Sequence, residues 1–402
     1  MGMHLRIAAA IIVALIISLG ATPIVKTFAH RVGAIDIPND ARRVHKHPIP
    51  RLGGLAIFIG FLLSVVFFAE IDRQVQGILL GAVLMVVIGV IDDIVPVHAL
   101  LKFFVQIAAA LIAVHHGVQI YMFSNPNVFS DVAYVSLGIM TIPVTVLWIV
   151  AITNAVNLID GLDGLAVGVS AISSVVVLTI ALMVADLNVA VIMAALVGAC
   201  LGFMPHNFNP AKIFMGDTGA LLLGYVLATV SIIGLFKFYA VVSFAVPFLV
   251  LALPLFDTAF AFIRRLVKGQ NPMSPDRGHF HHRLIDMGLS QKQAVAILYA
   301  ISGLLGLSAV VITTSGEIRA GILIISVLLA AFVVYYIYKG KNGNKNGDNP
   351  QSHDDEAGIN PVDTLDNTEE EQPMEEAQHT EGEQPKAPAE AEKTSAERDL
   401  PE

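Results

Sequence analysis

The sequence predicts an all-α polytopic membrane protein with about eleven transmembrane helices. Two observations support this fold class. Of the 402 residues, 55% are hydrophobic and only 14% are charged, whereas soluble proteins carry about 25% charged residues. Apolar stretches also recur along the first 340 positions, and each approaches the ~17–25 residues that a helix needs to cross a bilayer.

The predicted segments follow the apolar stretches in order. They lie at 7–27, 52–69, 77–95, 99–116, 136–153, 165–184, 189–206, 219–236, 240–263, 292–313 and 319–338. The first stretch is long and a strongly basic loop follows it, so we interpret it as an uncleaved anchor and not as a signal peptide.

The distribution of Lys and Arg predicts the orientation. Basic residues concentrate after segments one and nine, at Lys26, Arg31, Arg42, Arg43, Lys46, Arg51, Arg264, Arg265, Lys268, Arg277, Arg283 and Lys292. The opposite side carries only Arg6, Arg73, Lys237 and Arg319. Cytoplasmic loops are enriched in Lys and Arg. The basic loops are therefore expected in the cytoplasm and the amino terminus outside.

The charge balance predicts two regions, a membrane domain at 1–340 and an acidic tail at 341–402. From Asp348 onward there are 18 acidic and 3 basic residues, which leaves 15 acidic and 21 basic residues in the rest of the chain. A tail with so few large apolar residues cannot bury enough surface to fold. We interpret it as a disordered cytoplasmic appendage, and docking of a basic partner stays open as its function.

The polar clusters all fall on the predicted cytoplasmic side, so we expect one shared site there. The first cluster is Asp92-Asp93, at the end of the third segment. Two carboxylates at a helix carboxyl terminus oppose the helix dipole, and a cation is expected beside them unless this is an ordinary acidic helix end. Lys102, near the start of the next segment, could bind a phosphate or be a snorkelling interfacial lysine.

The second cluster is the sequence NAVNLIDGLDGLA. It places Asn154, Asn157, Asp160 and Asp163 three residues apart, so that their oxygens could line one face of a helical turn. Oxygen ligands without His or Cys are typical of a hard cation such as Mg²⁺. The alternative is a polar helix cap.

The third and fourth clusters are NPAKIFMGDTG and DRGHFHHRL. Asp217 lies at the start of the eighth segment, where an aspartate is often only an N-cap. His279, His281, His282 and Arg283 could contact a diphosphate, and a zinc site is the alternative for these histidines.

Two further features carry weaker signals. Asp257 lies inside the ninth segment, and an intramembrane carboxylate is a functional candidate. The first loop, DIPNDARRVHKHPIPRLGG, could attract an anionic lipid or nucleotide, or could act only as the orientation signal.

These parts fit phosphoryl transfer between a soluble nucleotide and a lipid phosphate, in which a metal neutralises diphosphate charge. The absence of a Walker motif excludes a P-loop pump. A polytopic transporter would instead show ionisable residues near several helix midpoints and inverted repeats, and the sequence has neither pattern.

The ordered motifs RRVHKHPIPRLGG, GVIDDIVPVHALLKFFVQ, NAVNLIDGLDGLA, NPAKIFMGDTG and HFHHRL resemble the polyprenyl-phosphate N-acetylhexosamine-1-phosphate transferase family over residues 30–290. The stretch HFHHRLIDMGLSQKQAV is similar to the branch that uses UDP-N-acetylglucosamine. In the peptidoglycan branch, which uses UDP-N-acetylmuramoyl-pentapeptide, three histidines are consecutive, and here Phe280 interrupts them.

The resemblance implies roles for individual residues. It implies that Asn157 and Asp217 bind Mg²⁺, that Asp92 or Asp93 acts on the lipid phosphate, and that Asp163 lies near the uracil. It places Lys102 near a phosphate and His279 near the diphosphate. Catalytic residues are expected to be Asp92, Asp93, Asp217 and His279; substrate-binding residues, Lys102, Asn154, Asp160, Asp163, His281, His282 and Arg283.

The expected donor is UDP-N-acetylglucosamine and the expected acceptor undecaprenyl phosphate, in a bacterial plasma membrane. The early steps of teichoic acid, enterobacterial common antigen or O-antigen synthesis use this chemistry in the family. We expect no nucleic-acid partner, and the sequence leaves open a homodimer, the downstream polymer and the choice between a direct and a two-step transfer.

Overall fold

The computed structural model describes residues 2–38, 47–124, 134–235, 245–267, 269, 279–313, 325–326 and 329–330. Its helices are α1 Met3–Val32, α2 Gly53–Phe68, α3 Arg73–Ile94, α4 Ala99–His115, α5 Thr141–Leu158, α6 Leu165–Met183, α7 Leu187–Asn207, α8 Gly216–Gly234, α9 Ala245–Val250, α10 Ala252–Val267, α11 Phe280–Asp286 and α12 Gln291–Thr313. Two antiparallel ladders pair β1 Ile35–Asp36 with β2 Ile49–Pro50 and β3 Met122–Ser124 with β4 Tyr134–Ser136.

Within these described ranges, seven helices are long and apolar enough to cross a membrane. They are α1, α3, α5 with the 3-10 turn before it, α6, α7, α8 and α12, while α2 and α4 are apolar but shorter. The predicted class, an all-α polytopic membrane protein, is therefore confirmed. The predicted acidic tail and most of the eleventh segment lie outside the described residues.

The predicted ninth segment, 240–263, differs from the structure. Its described part forms two helices, α9 and α10, that meet at Leu251. Pro254 lies just beyond this junction and has no N–H for the carbonyl four residues earlier, at Val250. A second difference is that Phe280–Asp286, part of the histidine cluster expected in a cytoplasmic loop, forms the short helix α11.

Helix α8 is the central element of the bundle. All of its residues from Thr218 to Gly234 are buried, and it packs against α2, α3, α5 and α6. Its polar side chains have partners: the Tyr225 hydroxyl donates to carbonyls of α3 and α4, and the Ser231 hydroxyl accepts from the Trp148 indole at 3.0 Å. The first turn of α8 is therefore held at a fixed place.

Two glycines allow other helices to touch the first turn of α8. A Cβ on Gly54 of α2 would lie 2.0 Å from the backbone nitrogen of Gly219, and a Cβ on Gly89 of α3 would lie 2.4 Å from the Cα of Thr218. Distances below 3.0 Å force a displacement. The backbones of α2 and α3 are therefore in direct contact with α8.

The segment before α2 is tied to the segment before α8. The N–H groups of Gly53 and Gly54 donate to the carbonyls of Phe214 and Met215 at 2.9 and 2.8 Å, and the Phe214 N–H donates to the Pro50 carbonyl at 2.8 Å. The end of the first predicted basic loop thus supports the approach to α8, a structural role that neither sequence interpretation anticipated.

We predict that Gly54→Ala destabilises the protein by about 1–3 kcal/mol, the usual range for overpacking. The new methyl group would meet backbone atoms of α8, which cannot rotate away. Thermal unfolding in detergent measures the effect, with Gly20→Ala as the matched control because a Cβ there meets nothing within 4 Å. Equal melting temperatures for the two variants would contradict the described contact.

Candidate active site

Asp92 and Asp93, at the end of α3, have different partners. Asp93 is 2% exposed, and its Oδ1 accepts from the backbone nitrogen of Asp217 at 3.0 Å. Its Oδ2 accepts from the Thr218 backbone nitrogen at 3.1 Å and from the Thr218 hydroxyl at 2.6 Å. The first N–H groups of a helix have no partner within it. Asp93 therefore caps α8 from another helix.

Gly216 makes room for this carboxylate. Its φ of 71° lies in the left-handed region, which side chains other than glycine rarely adopt. A Cβ at Gly216 would also lie 2.4 Å from the Asp93 Oδ2. The glycine before Asp217 is thus required both by its backbone conformation and by the closeness of Asp93.

The Asp92 carboxylate forms an ion pair with Lys102. The Lys102 Nζ lies 3.0 Å from the Asp92 Oδ2 and 2.9 Å from the Asp217 Oδ2. The three side chains are 22%, 13% and 27% exposed for Lys102, Asp92 and Asp217. One ammonium therefore bridges two carboxylates at the bundle surface and offsets their mutual repulsion. This is the cation that the dipole argument anticipated.

Some side chains of the second cluster are hydrogen-bonded to other residues, and others are not. The Asn154 amide pairs with the Gln106 amide of α4, at 2.6 and 3.3 Å. The Asp163 Oδ2 accepts from the Ala211 backbone nitrogen at 3.0 Å. Among the described residues, the side chains of Asn157 and Asp160 make no hydrogen bond with another residue. Their oxygens are the ones available to a ligand.

Asp160 lies in the turn after α5, among other carboxylates. Burial raises its pKa to about 8, and the nearby charges of Asp217, Asp93 and Asp163 contribute to this rise. A carboxylate without a cationic partner near three others favours either a proton or a bound cation.

The connection from α7 to α8 closes over this turn. The Asn207 Oδ1 accepts from the Gly164 backbone nitrogen at 3.1 Å, while its amide donates to the Ile213 carbonyl at 3.0 Å. Asn209 donates to the Asp163 Oδ2 at 3.0 Å. The second and third sequence clusters are therefore one connected structure.

The histidine segment joins the same site. The His279 Nδ1 lies 2.9 Å from the Asp257 Oδ2, and the ring of His279 stacks on that of His281 with 5.7 Å between centroids. A Cβ on Gly161 would lie 2.4 Å from the His281 Nε2, so His281 packs directly on the turn that carries Asp160. Burial lowers the pKa of His281 to about 4, which keeps this ring neutral.

Arg283 lies toward a different space. Its guanidinium stacks on Phe260 at 4.9 Å from the ring centre. Both residues line a mainly apolar cavity of about 370 Å³. His282 contacts the ring of His281 at 4.3 Å, and residues 276–278 of the same motif lie outside the described residues.

The predicted Mg²⁺ site fits the available donors. Within the residues that the structure describes, no group of three or more His, Cys, Asp and Glu side chains is arranged to hold a metal ion. Mg²⁺ typically takes only one or two protein carboxylates and completes its shell with water and substrate phosphates. The available oxygens at Asn157 and Asp160, together with the Asp217 carboxylate that Lys102 contacts, suit such a site and do not suit zinc.

Two contacts at the site escaped the sequence analysis. Gln106 lies four residues after Lys102, so both lie on one face of α4, and this spacing could have revealed its pairing with Asn154. Arg51 donates from Nε to the Asp93 carbonyl at 3.1 Å. The sequence offered no signal for that contact, because Arg51 was one of many basic residues in its loop.

Comparisons with known proteins identify the family to which the chain is similar. A family model described as glycosyl transferase family 4 matches residues 75–235. A Bacillus subtilis protein named "Probable undecaprenyl-phosphate N-acetylglucosaminyl 1-phosphate transferase" is 41% identical, covering 81% of this chain and 90% of its own. A Mycolicibacterium smegmatis decaprenyl-phosphate N-acetylglucosaminephosphotransferase is 37% identical over 74% and 79% of the two chains. A Thermotoga maritima undecaprenyl-phosphate alpha-N-acetylglucosaminyl 1-phosphate transferase is 32% identical over 73% and 88%.

We predict that Asp93→Ala destabilises the fold by about 2 kcal/mol, because it leaves the buried donors of α8 without an acceptor. Asp92→Ala is the matched control, since the Asp92 side chain is more exposed and its loss should cost less. Thermal unfolding in detergent distinguishes them, and an equal loss of stability in both variants would refute the capping role of Asp93.

We also predict that, with a chelator present, stability falls as the pH rises from about 4 to about 8 and is level above that range. The pKa of folded Asp160 is about 8, above the ~4 of an unfolded aspartate. Between these two values the folded state holds a proton that the unfolded state has released, so each rise in pH favours unfolding until folded Asp160 has also lost its proton.

Asp160→Asn should lessen this loss, and the exposed Asp286→Asn should not. Melting temperatures across the pH range test the expectation. An unchanged slope in Asp160→Asn would show that Asp160 is not the titrating group.

Proposed function

This chain belongs to glycosyl transferase family 4, and from that premise we propose that it transfers N-acetylglucosamine 1-phosphate from UDP-N-acetylglucosamine to undecaprenyl phosphate. The observation that carries the proposal is the meeting of Asp92, Lys102 and Asp217 beside the acidic turn at one end of an apolar bundle. That end can reach both a soluble nucleotide and a lipid headgroup. The names of the Bacillus subtilis and Thermotoga maritima relatives support the choice of acceptor and sugar.

In the proposed reaction, a phosphate oxygen of undecaprenyl phosphate attacks the β-phosphorus of the donor. The bond from that phosphorus to the oxygen bridging it to the α-phosphate breaks, so UMP leaves with that oxygen. The product is undecaprenyl-diphospho-N-acetylglucosamine. Because a phosphate monoester is largely ionised near neutral pH, the acceptor needs little help from a base.

Asp92 and Lys102 are the proposed acceptor-binding pair. The Lys102 ammonium can exchange a carboxylate partner for the lipid phosphate as a point charge. Asp92 would then hold or remove a remaining proton on that phosphate. A two-step route through a phosphorylated aspartate is the alternative, and an isolable phospho-aspartate would exclude direct attack.

We propose that Asn157 and Asp217 hold Mg²⁺, with Asp160 close enough to add charge. A bound Mg²⁺ would neutralise the diphosphate and stabilise the charge that develops on the leaving UMP. Lys102 already offsets the charge of Asp217 at 2.9 Å, so the repulsion among the carboxylates of the site is partly compensated by the protein itself.

Asp93 has a different proposed role from the catalytic one predicted for it. Both of its oxygens are occupied by the α8 terminus, so it fixes the position of Asp217 and does not touch the lipid phosphate. His279 is proposed to contact the diphosphate, with His281, His282 and Arg283 around it. Asp163, which holds the α7–α8 connection, is proposed to contribute one oxygen near the uracil.

Asn154 was predicted to bind substrate, but its side-chain amide is already hydrogen-bonded within the protein. Its amide is paired with Gln106, so we propose that it shapes the wall of the site between α4 and α5. The finer topology is also part of the proposal: eleven crossings, a site at the cytoplasmic face of a bacterial plasma membrane, and cell-wall polymer synthesis as the purpose of the product.

We predict that purified protein in detergent releases UMP from UDP-N-acetylglucosamine only when undecaprenyl phosphate and Mg²⁺ are present. Asp217→Asn should lower the rate by more than about 100-fold, as loss of a charge-stabilising group does. The control is Asp186→Asn, at the opposite end of α7, where an asparagine can still cap the helix.

The donor decides between the branches of the family. UMP release only from UDP-N-acetylmuramoyl-pentapeptide would assign the chain to peptidoglycan synthesis. No release from either donor, in protein shown to be folded, would reject the transferase function and favour a transporter.

A further inference from the structure

The carboxylate of Asp257 has an unusual setting for the interior of an apolar helix. Asp257 lies on α10, and its Oδ2 is 2.9 Å from the Nδ1 of His279. Its Oδ1 accepts from the Phe280 backbone nitrogen at 2.7 Å. Both side chains are only 6% exposed. The carboxylate thus uses its two oxygens to hold a histidine ring and the backbone that follows it.

This arrangement determines which ring nitrogen is available. A carboxylate accepts hydrogen bonds, so the Nδ1 of His279 must carry the proton that it donates to Asp257. The Nε2 is then the only ring nitrogen that can meet a substrate. A histidine that is free to change tautomer would present the correct nitrogen only part of the time.

The second hydrogen bond fixes the position of the ring. The Phe280 N–H is the first donor of α11, which begins at that residue, so Asp257 holds the start of this helix as well as the imidazole. The ring also stacks nearly parallel on His281, at an interplanar angle of 8°. Since His281 packs on Gly161, the contacts run from α10 through two rings to the acidic turn.

We propose that Asp257 is a positioning residue for the transfer reaction: it fixes the Nδ1–H tautomer and the orientation of His279, so that Nε2 faces the diphosphate. The inference rests on the proposed function, because it assumes that His279 contacts the donor. It also explains the carboxylate inside α10 without a transport pathway, since its partner belongs to the candidate active site.

The first test is a double-mutant cycle on the full chain in detergent. Asp257→Asn has nearly the same shape but can donate to Nδ1, which permits the other tautomer. Its kcat should fall about 10- to 100-fold, the usual effect of losing such an orienting group. In a His279→Gln background the same change should have no further effect, because the group that it positions is gone. Asp186→Asn is the matched control, with wild-type kcat expected.

The second test reads the tautomer without turnover. In protein labelled with ¹⁵N-histidine, the resonances absent from His279→Gln identify His279. The wild type should show His279 with a proton on Nδ1, and Asp257→Asn should show a mixture of tautomers or the Nε2–H form. This measurement can be made even where a variant is inactive.

The outcomes separate this inference from the function on which it rests. Wild-type protein that releases UMP, together with Asp257→Asn that keeps full kcat or adds its loss to that of His279→Gln, overturns the positioning role alone. An Nε2–H tautomer in the wild type does the same. Wild-type protein without UMP release overturns the proposed function, whatever the tautomer of His279.

Discussion

The contact between the Asp93 carboxylate and the first turn of α8 is the constraint on which the site depends. A buried charge is tolerated only where donors surround it, and the amino terminus of α8 supplies three. The same turn requires an acceptor because its N–H groups have none inside the helix. The carboxylate and the helix terminus thus satisfy each other, and Asp217, whose own N–H is one of the donors, is fixed at the junction.

The remaining charges follow from that placement. Asp217 next to Asp92 would be unfavourable without a cation, and Lys102 lies between their carboxylates. Asp160 has no such partner among the described residues, and its pKa is raised by burial and by the charges of Asp217, Asp93 and Asp163. The site therefore combines two carboxylates that share one ammonium with a third carboxylate that has no cationic partner. This excess of negative charge suits the Mg²⁺ ion that we propose for the site.

The sequence predicted most helices to within a few residues, because apolar length determines them. It also predicted that the clusters of polar residues lie together at one end of the bundle. The break at Leu251 was missed because an apolar run across Pro254 reads as one segment. The different roles of Asp92 and Asp93 could not be predicted, since adjacent carboxylates look alike until the partner helix is known. Likewise, nothing along the chain indicated that Asp257 pairs with His279.

The Asp93 cap has a consequence for biosynthesis. Asp93 and Thr218 are 125 residues apart in the chain, so α3 leaves the ribosome long before α8 exists to receive its carboxylate. Until α8 is inserted, the nascent protein carries an acidic group at the membrane without its partners. A chain truncated before residue 217 keeps that defect permanently. Quality-control proteases that recognise unpaired polar groups in membranes would therefore be able to distinguish incomplete chains by the unpaired Asp93 carboxylate.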